Sequence, residues 1–96
     1  VFFLEVLPRL KPGVVIQIHD ITLPSDYPSD VIVHNYSEQY MLATLLLFGG
    51  SCFETILPNT FITADEKLSK ILQPLWNRPE LQGAERGGGS YWLKKL

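Results

Sequence analysis

A histidine and an aspartate, His19 and Asp20, directly follow the short apolar run Val14–Ile18. In open α/β sheets, ligands bind beyond the carboxyl ends of parallel strands, so this pair falls where a site is expected. A carboxylate there can act as a general base or bind a divalent cation, and an imidazole can shuttle protons or orient a substrate. Neighbouring strand residues point to opposite faces, so only one of the pair should face a cleft unless the backbone turns at once. In the structural alternative, Asp20 accepts backbone N–H bonds in the turn and His19 packs against a helix.

Further polar side chains follow on Leu23–Val33, where prolines, serines and aspartates indicate an ordered loop. Asp26, Tyr27 and His34 are candidates for substrate contacts, since functional loops often carry such groups. Glu38 is a fourth candidate, although capping the helix that follows would be a sufficient role for it. For each of these residues alone, a solvated or structural position is the alternative.

Three short apolar segments predict strands: Val14–Ile18, Cys52–Leu57 and Ser90–Leu96. The first is β-branched and almost continuously apolar, which is typical of a strand covered on both faces in a parallel sheet. The last two are expected to pair antiparallel, with the final strand at or near a sheet edge.

Helices are predicted from apolar spacing and from capping pairs. Residues 1–10 show the spacing of an amphipathic helix that ends before Lys11-Pro12-Gly13. Two further helices are predicted, one through Phe48 to a stop at Gly49 and one to about Pro74. Their starts have capping-box spacing: Asn35 with Glu38, and Thr63 with Glu66. The element order is typical of an α/β fold.

Composition excludes several classes of function. The 96 residues carry a net charge of -2 and no cluster of Lys or Arg, so a nucleic-acid partner is not expected. No apolar run approaches the roughly 20 residues that cross a bilayer, so no membrane span is expected. Cys52 lacks an internal disulfide partner and is expected to be a buried, reduced thiol, which favours the cytoplasm.

The chain is long enough for one modest core, and we interpret residues 1–96 as a single partial domain. It begins Val-Phe-Phe-Leu without an initiator Met, and its first helix and strand form the second half of a βαβ unit. Strands that are apolar on both faces imply a larger sheet, with more covering helices, than this chain contains. The expected partners are therefore a missing N-terminal half or a second copy in a homodimer.

A series of short motifs resembles one family. A Leu10-Lys11-Pro12-Gly13 turn precedes an apolar strand that ends at Asp20, as around the fifth strand of class I S-adenosylmethionine-dependent methyltransferases. The continuation is similar to a bacterial subgroup with an HDI, LPxDYP, EQYxL series, which here reads His19-Asp20-Ile21, Leu23–Pro28 and Glu38–Leu42. Gly89–Leu93 is similar to the last strand of that family, which inserts antiparallel into an otherwise parallel sheet.

The resemblance covers nearly the whole chain. It implies an α/β fold corresponding to the C-terminal part of a Rossmann-like, seven-stranded methyltransferase sheet, with about three strands, the last antiparallel, and two to three helices. The family's Gly-rich loop after its first strand and the acidic residue ending its second strand, which hold the cofactor, have no counterpart here. S-adenosylmethionine is thus implied for a complete domain and is not expected to bind these residues alone. Tyr36-Ser37 stands where Trp-Asn often precedes Glu-Gln-Tyr, so a substrate contact of that Trp does not carry over.

Two functions are carried forward from the sequence. The first is methyl transfer to an oxygen or nitrogen of a small molecule or sugar, with Asp20 and His19 as base, orienting group or metal ligand. Asp26, Tyr27, His34 and Glu38 are then on the acceptor side. The second is a non-catalytic α/β remnant that associates with itself or with another protein through the bare sheet. A third hypothesis, another kind of Rossmann-like enzyme, is less well supported, because the motifs of such enzymes are absent.

Overall fold

The computed structural model describes all 96 residues and contains one three-stranded sheet. Its strands are β1 (Val15–Ile18), β2 (Phe53–Pro58) and β3 (Tyr91–Lys95). The order across the sheet is β1-β3-β2, and β3 is antiparallel to both neighbours. β1 and β2 therefore run in the same direction without touching. The α/β class, the three strands and the antiparallel last strand are as predicted.

The position of β3 differs from the prediction of an edge strand. Ile16 faces Leu93 on one side of β3, and Thr55 faces the same residue on the other. Ile56 is an extra residue in β2, because the register shifts between Thr55 and Leu57. The edges of the sheet are thus β1 and β2, and the last strand holds them together.

Helical structure is more fragmented than predicted. Residues 1–10 form a π-helical turn at Phe2–Val6 and a 3-10 turn at Leu7–Arg9, in place of one amphipathic helix. Pro8 falls in the second turn, where its missing N–H and fixed φ do not suit a continuous α-helix. There are five α-helices: α1 (Ser29–Ile32), α2 (Glu38–Phe48), α3 (Asn59–Ala64), α4 (Glu66–Ile71) and α5 (Gln73–Trp76). Only α2 is longer than two turns. A 3-10 turn at Pro79–Leu81 follows α5.

Two predicted caps are wrong, although both helices exist. α2 begins after Ser37, and Asn35 instead has a left-handed φ of 54° in the preceding turn. Glu38 Oε2 accepts the Ser37 N–H at 3.2 Å, so it contributes at the helix start without Asn35. At α4 the cap is Asp65, whose Oδ1 accepts the N–H groups of Lys67 and Leu68.

One small core lies on a single face of the sheet. Its buried residues come from the first turns, β1, the loop after β1, α2 and β3: Leu7, Ile16, Ile18, Ile21, Leu42, Tyr91 and Leu93. Side chains on the opposite face of the sheet, such as Val15 and Trp92, are exposed, so β1 is not covered on both faces as predicted. Cys52 is also exposed, contrary to the prediction of a buried thiol, because it precedes β2 in a surface turn. No helix is long and apolar enough to cross a membrane.

Candidate functional site

A polar pocket of about 290 Å³ opens at the carboxyl end of β1. It is lined by Ile18, His19, Asp20, Tyr27, Tyr36 and Glu38. Four of the six residues predicted from the sequence as catalytic or substrate-binding therefore share one cavity. The position is the one at which α/β sheets bind ligands.

The backbone turns immediately after β1, and this places both His19 and Asp20 on the pocket. Asp20 has a φ of 58°, in the left-handed region that Asp tolerates better than most residues. The turn is fixed by the Ile21 N–H, which donates to Gly89 O at 2.7 Å. Gly89 packs so closely that an added Cβ would lie 3.2 Å from Asp20 Cα. A side chain at this position would require the backbone at Asp20 to shift by a few tenths of an ångström.

The Asp20 carboxylate is free to meet a ligand. Its side chain is exposed, it forms no ion pair, and no backbone N–H donates to it. The structural role considered for Asp20, as acceptor of backbone bonds in the turn, is thus filled by Gly89 O instead. An unpaired carboxylate at a pocket wall can accept a hydrogen bond or a proton from a hydroxyl or amine.

His19 is exposed, and one contact indicates which of its ring nitrogens carries the proton. Gln17 Nε2 lies 3.3 Å from His19 Nδ1. An amide nitrogen only donates, so this contact requires Nδ1 to accept and leaves the proton of the neutral ring on Nε2. His19 thus offers the pocket a hydrogen-bond donor beside the Asp20 acceptor.

Asp26 lies outside the pocket lining, and its carboxylate is hydrogen-bonded to its loop neighbour Tyr27 and to Tyr40 on α2. Its Oδ1 accepts the Tyr40 hydroxyl at 2.6 Å and the Tyr27 N–H at 2.7 Å. The Tyr40 hydrogen bond, followed by that of the Tyr27 N–H, lowers the pKa of Asp26 below its ordinary value of 3.8. The same bond, made to a negative acceptor, raises the pKa of Tyr40. Asp26 is positioned to hold the loop in shape.

The remaining predicted residues border the pocket in different ways. Tyr27 is buried, and its ring lies edge-on to that of Tyr40 with centroids 5.4 Å apart. Glu38 lines the cavity from the first turn of α2. His34 does not line it, but stacks on Tyr36 with ring centroids 5.6 Å apart. His34 therefore reaches the site only through Tyr36.

Gln39 and Tyr36 are site residues that the sequence analysis missed. Tyr36 is exposed at the pocket and was not among the predicted contact residues. Gln39 is 1% exposed and is the only buried polar residue. The sequence signal that could have identified Gln39 is its position beside Glu38 in the first turn of α2, because a long amide side chain there can reach the preceding loop.

A second, larger pocket of about 400 Å³ is less suited to chemistry. Most of its lining is hydrophobic, and it includes Leu23, Leu46, Phe61 and Tyr91. Its one ionisable side chain, Tyr91, has its hydroxyl hydrogen-bonded to Thr55 Oγ1 at 2.8 Å. The polar pocket at β1 is therefore the candidate site, although it is the smaller.

Neither a metal nor the implied cofactor finds a ready set of ligands. No three His, Cys, Asp or Glu side chains are grouped as a metal ion requires. The glycine-rich stretch Gly87–Gly89 is packed against the protein, since an added Cβ at Gly87 would lie 2.8 Å from the Thr63 side chain. It also leads into a strand, whereas a phosphate- or nucleoside-binding loop leads from a strand into a helix. Gly87–Gly89 is therefore not a cofactor-binding loop of that kind.

Comparison with known proteins found no matching family model, no similar curated protein and no similar solved structure.

Proposed function

We propose that this chain forms the acceptor side of an S-adenosylmethionine-dependent methyltransferase domain and acts on a small molecule or sugar. The polar pocket at the end of β1 carries the proposal, because it brings His19, Asp20, Tyr27 and Glu38 together. These are residues of the motif series that resembles the methyltransferase subgroup.

The sheet topology supports the same proposal. β3 lies antiparallel between β1 and β2, which run parallel to each other. The resembled family inserts its last strand antiparallel into an otherwise parallel sheet. Such a reversed strand is uncommon in sheets of βαβ origin, whose crossovers keep neighbouring strands parallel.

The chemistry of the pocket suits an acceptor hydroxyl or amine. Methyl transfer requires alignment of the acceptor atom, and a carboxylate can supply this by accepting its hydrogen bond. Asp20 is the free acceptor, and His19 donates from Nε2 to a second polar atom of the ligand. Tyr36, exposed at the mouth, provides an aromatic surface against which a ring can pack.

The cofactor is assigned to another part of the proposed domain. S-adenosylmethionine, when bound, supplies the methyl group. The residues described here bind and orient the acceptor and receive its proton at the Asp20 carboxylate. This chain without that other part is expected to transfer no methyl group.

Asp20→Asn in the complete domain tests the role of the carboxylate. Asn tolerates a left-handed φ and keeps the size of the side chain, so the turn should survive. Turnover at saturating acceptor is expected to fall about 10²-fold or more, as when a positioned base is removed. The measurement is transfer of labelled methyl from S-adenosylmethionine to a panel of sugars, phenols and amines.

Asp30→Asn is the matched control, because Asp30 is an exposed aspartate on α1 outside the pocket. Its turnover should equal that of the unmodified protein. Unaltered turnover of Asp20→Asn would contradict the assignment of Asp20. Failure of the complete domain to methylate any of the panel would contradict the proposed function.

A second candidate is self-association of a non-catalytic module. The observation that favours it is the exposure of nineteen large hydrophobic side chains against nine buried residues. Surfaces so rich in apolar groups mark contacts with other proteins or with the rest of a domain. The oligomeric state of the chain tests this candidate, because a well-behaved monomer would count against self-association.

A further inference from the structure

The buried amide of Gln39 joins α2 to the loop that runs from β1 to α1. Its Oε1 accepts the N–H of Thr22 and lies 3.0 Å from the Thr22 hydroxyl. Its Nε2 donates to Ser25 O at 3.0 Å, and its backbone N–H donates to the Tyr27 hydroxyl at 2.9 Å. One residue thus bonds to three positions on a six-residue segment.

This loop forms part of the wall of the polar pocket. The segment of the loop that Gln39 contacts, residues 22–27, starts two residues after Asp20 and ends at Tyr27. Both Asp20 and Tyr27 line the cavity. Gln39 lies behind the loop, while the adjacent Glu38 lies on the pocket itself. The first turn of α2 therefore supplies one residue that meets the ligand space and one that holds the wall in place.

Loss of the amide would leave the Thr22 N–H without an acceptor and the Ser25 carbonyl with only the Thr22 hydroxyl, at 3.3 Å. The Thr22 N–H and the Ser25 carbonyl bond to Gln39 in a part-buried environment. An N–H group that is shielded from water and has no acceptor is unfavourable, so the loop would open to let water reach the Thr22 N–H. Other bonds also hold this segment: the Tyr40 hydroxyl on α2 donates to Asp26 Oδ1, and the Thr22 hydroxyl bonds to Ser25 O and Asp26 O. None of them supplies an acceptor for the Thr22 N–H, which bonds to Gln39 Oε1.

We propose that Gln39 is a positioning residue for the acceptor pocket, fixing residues 22–27 so that Asp20 and Tyr27 keep their places in its wall. That the pocket takes a methyl acceptor rests on the proposed function. The fixing of the loop by the amide does not, so the two are tested separately.

Hydrogen exchange of the 96-residue chain, followed by NMR, tests the loop. In Gln39→Leu, the Thr22 amide is expected to exchange at least tenfold faster, while the amides of β3 change little. Gln73→Leu is the matched control, because Gln73 is exposed and its Nε2 contacts only Asn77 of its own helical segment. Equal Thr22 exchange in both variants would overturn the proposal.

Gln39→Glu keeps the protein testable if Gln39→Leu unfolds. A protonated carboxyl can donate to Ser25 O and accept from Thr22 N–H as the amide does, whereas an ionised one cannot donate. Protection of Thr22, corrected for the intrinsic rate, should therefore be restored at acidic pH and lost as the introduced carboxyl ionises. Protection that is the same at both pH values would contradict the requirement for a donor at this position.

The activity readout uses the complete domain. Gln39→Leu is expected to raise the KM of the acceptor about tenfold and to leave the Kd of S-adenosylmethionine unchanged. A general loss of folding would change both. Faster Thr22 exchange together with no methyl transfer by the unmodified domain would refute the proposed function and leave the role of Gln39 in the loop intact.

Discussion

Asp26 and Asp20 show how two aspartates six residues apart can have different uses. Asp26 accepts two hydrogen bonds from its own neighbourhood, and its pKa is lowered by them. Asp20 accepts none from the backbone and lines the pocket. Sequence alone grouped both with the acceptor site, because either type of carboxylate fits a functional loop. Only the positions of the neighbouring hydrogen-bond donors distinguish the structural carboxylate of Asp26 from the unpaired carboxylate of Asp20.

Tyr40→Phe is expected to raise the pKa of Asp26 towards 3.8 by removing its strongest hydrogen bond. The Tyr27 N–H bond remains, so the return should be partial. Because the folded pKa is lowered, the Asp26 bonds contribute stability above the unfolded pKa, and this is lost as pH falls through the folded value. The measurement is an NMR titration of the Asp26 side-chain carbon.

Tyr36→Phe serves as the control for this titration, since Tyr36 makes its aromatic contact with His34 and not with Asp26. An Asp26 titration that is the same in Tyr40→Phe as in the unmodified chain would show that the hydroxyl bond does not set the pKa.

At the scale of elements, the strands were predicted to within one or two residues and the caps were not. β1 and β2 are short runs that contain β-branched residues and are each preceded by a turn, and this local pattern is enough to identify them. Caps depend on which of several polar residues reaches the first free N–H groups. Thr63 has the right spacing, but its hydroxyl donates to Asn59 O at 2.9 Å within α3, and Asp65 takes the cap.

The place of β3 in the sheet could not be predicted for a different reason. Its pairing with β1 joins residues more than 70 positions apart, and no local pattern encodes such a partner. Two other features could not be predicted either: the separate helical turns within residues 1–10 and the exposed outer face of β1. Both depend on how few elements pack around them. Gln39 was missed because its partners lie on a loop whose path is set by the turn at Asp20.

Asp65→Ala is expected to destabilise α4 by about 1 kcal/mol, since it removes the acceptor for two N–H groups at the helix start. Thr63→Ala should cost less, because it removes only one hydroxyl bond made back along α3. Urea unfolding followed by circular dichroism measures both. A larger loss in Thr63→Ala would favour the capping pair inferred from the sequence.

At the scale of the whole molecule, the chain is less compact than is usual for a domain of its length. Its radius of gyration is 15.0 Å, whereas a compact domain of this size has about 12 Å. Of 96 residues, nine are buried, and the core occupies one face of the sheet. Both the methyltransferase proposal and the association candidate require another surface to cover what is exposed.

Replacing exposed apolar side chains at the end of α2 tests the association candidate. Leu47 and Phe48 are 76% and 85% exposed, so Leu47→Ser with Phe48→Ser should leave the fold intact. If these residues hold copies together, light scattering after size exclusion should show a dimer converted to a monomer. A monomeric unmodified chain would count against self-association. Leu42→Ser, at a fully buried position, should instead unfold the chain.

The central position of β3 sets the order in which the sheet can be built during synthesis. β1 and β2 do not pair with each other, and each finds its only partner in Tyr91–Lys95. Until Tyr91–Lys95 has left the ribosome, β1 and β2 therefore cannot be joined to each other. The pairing that unites these two strands would form late, in one step, when β3 arrives.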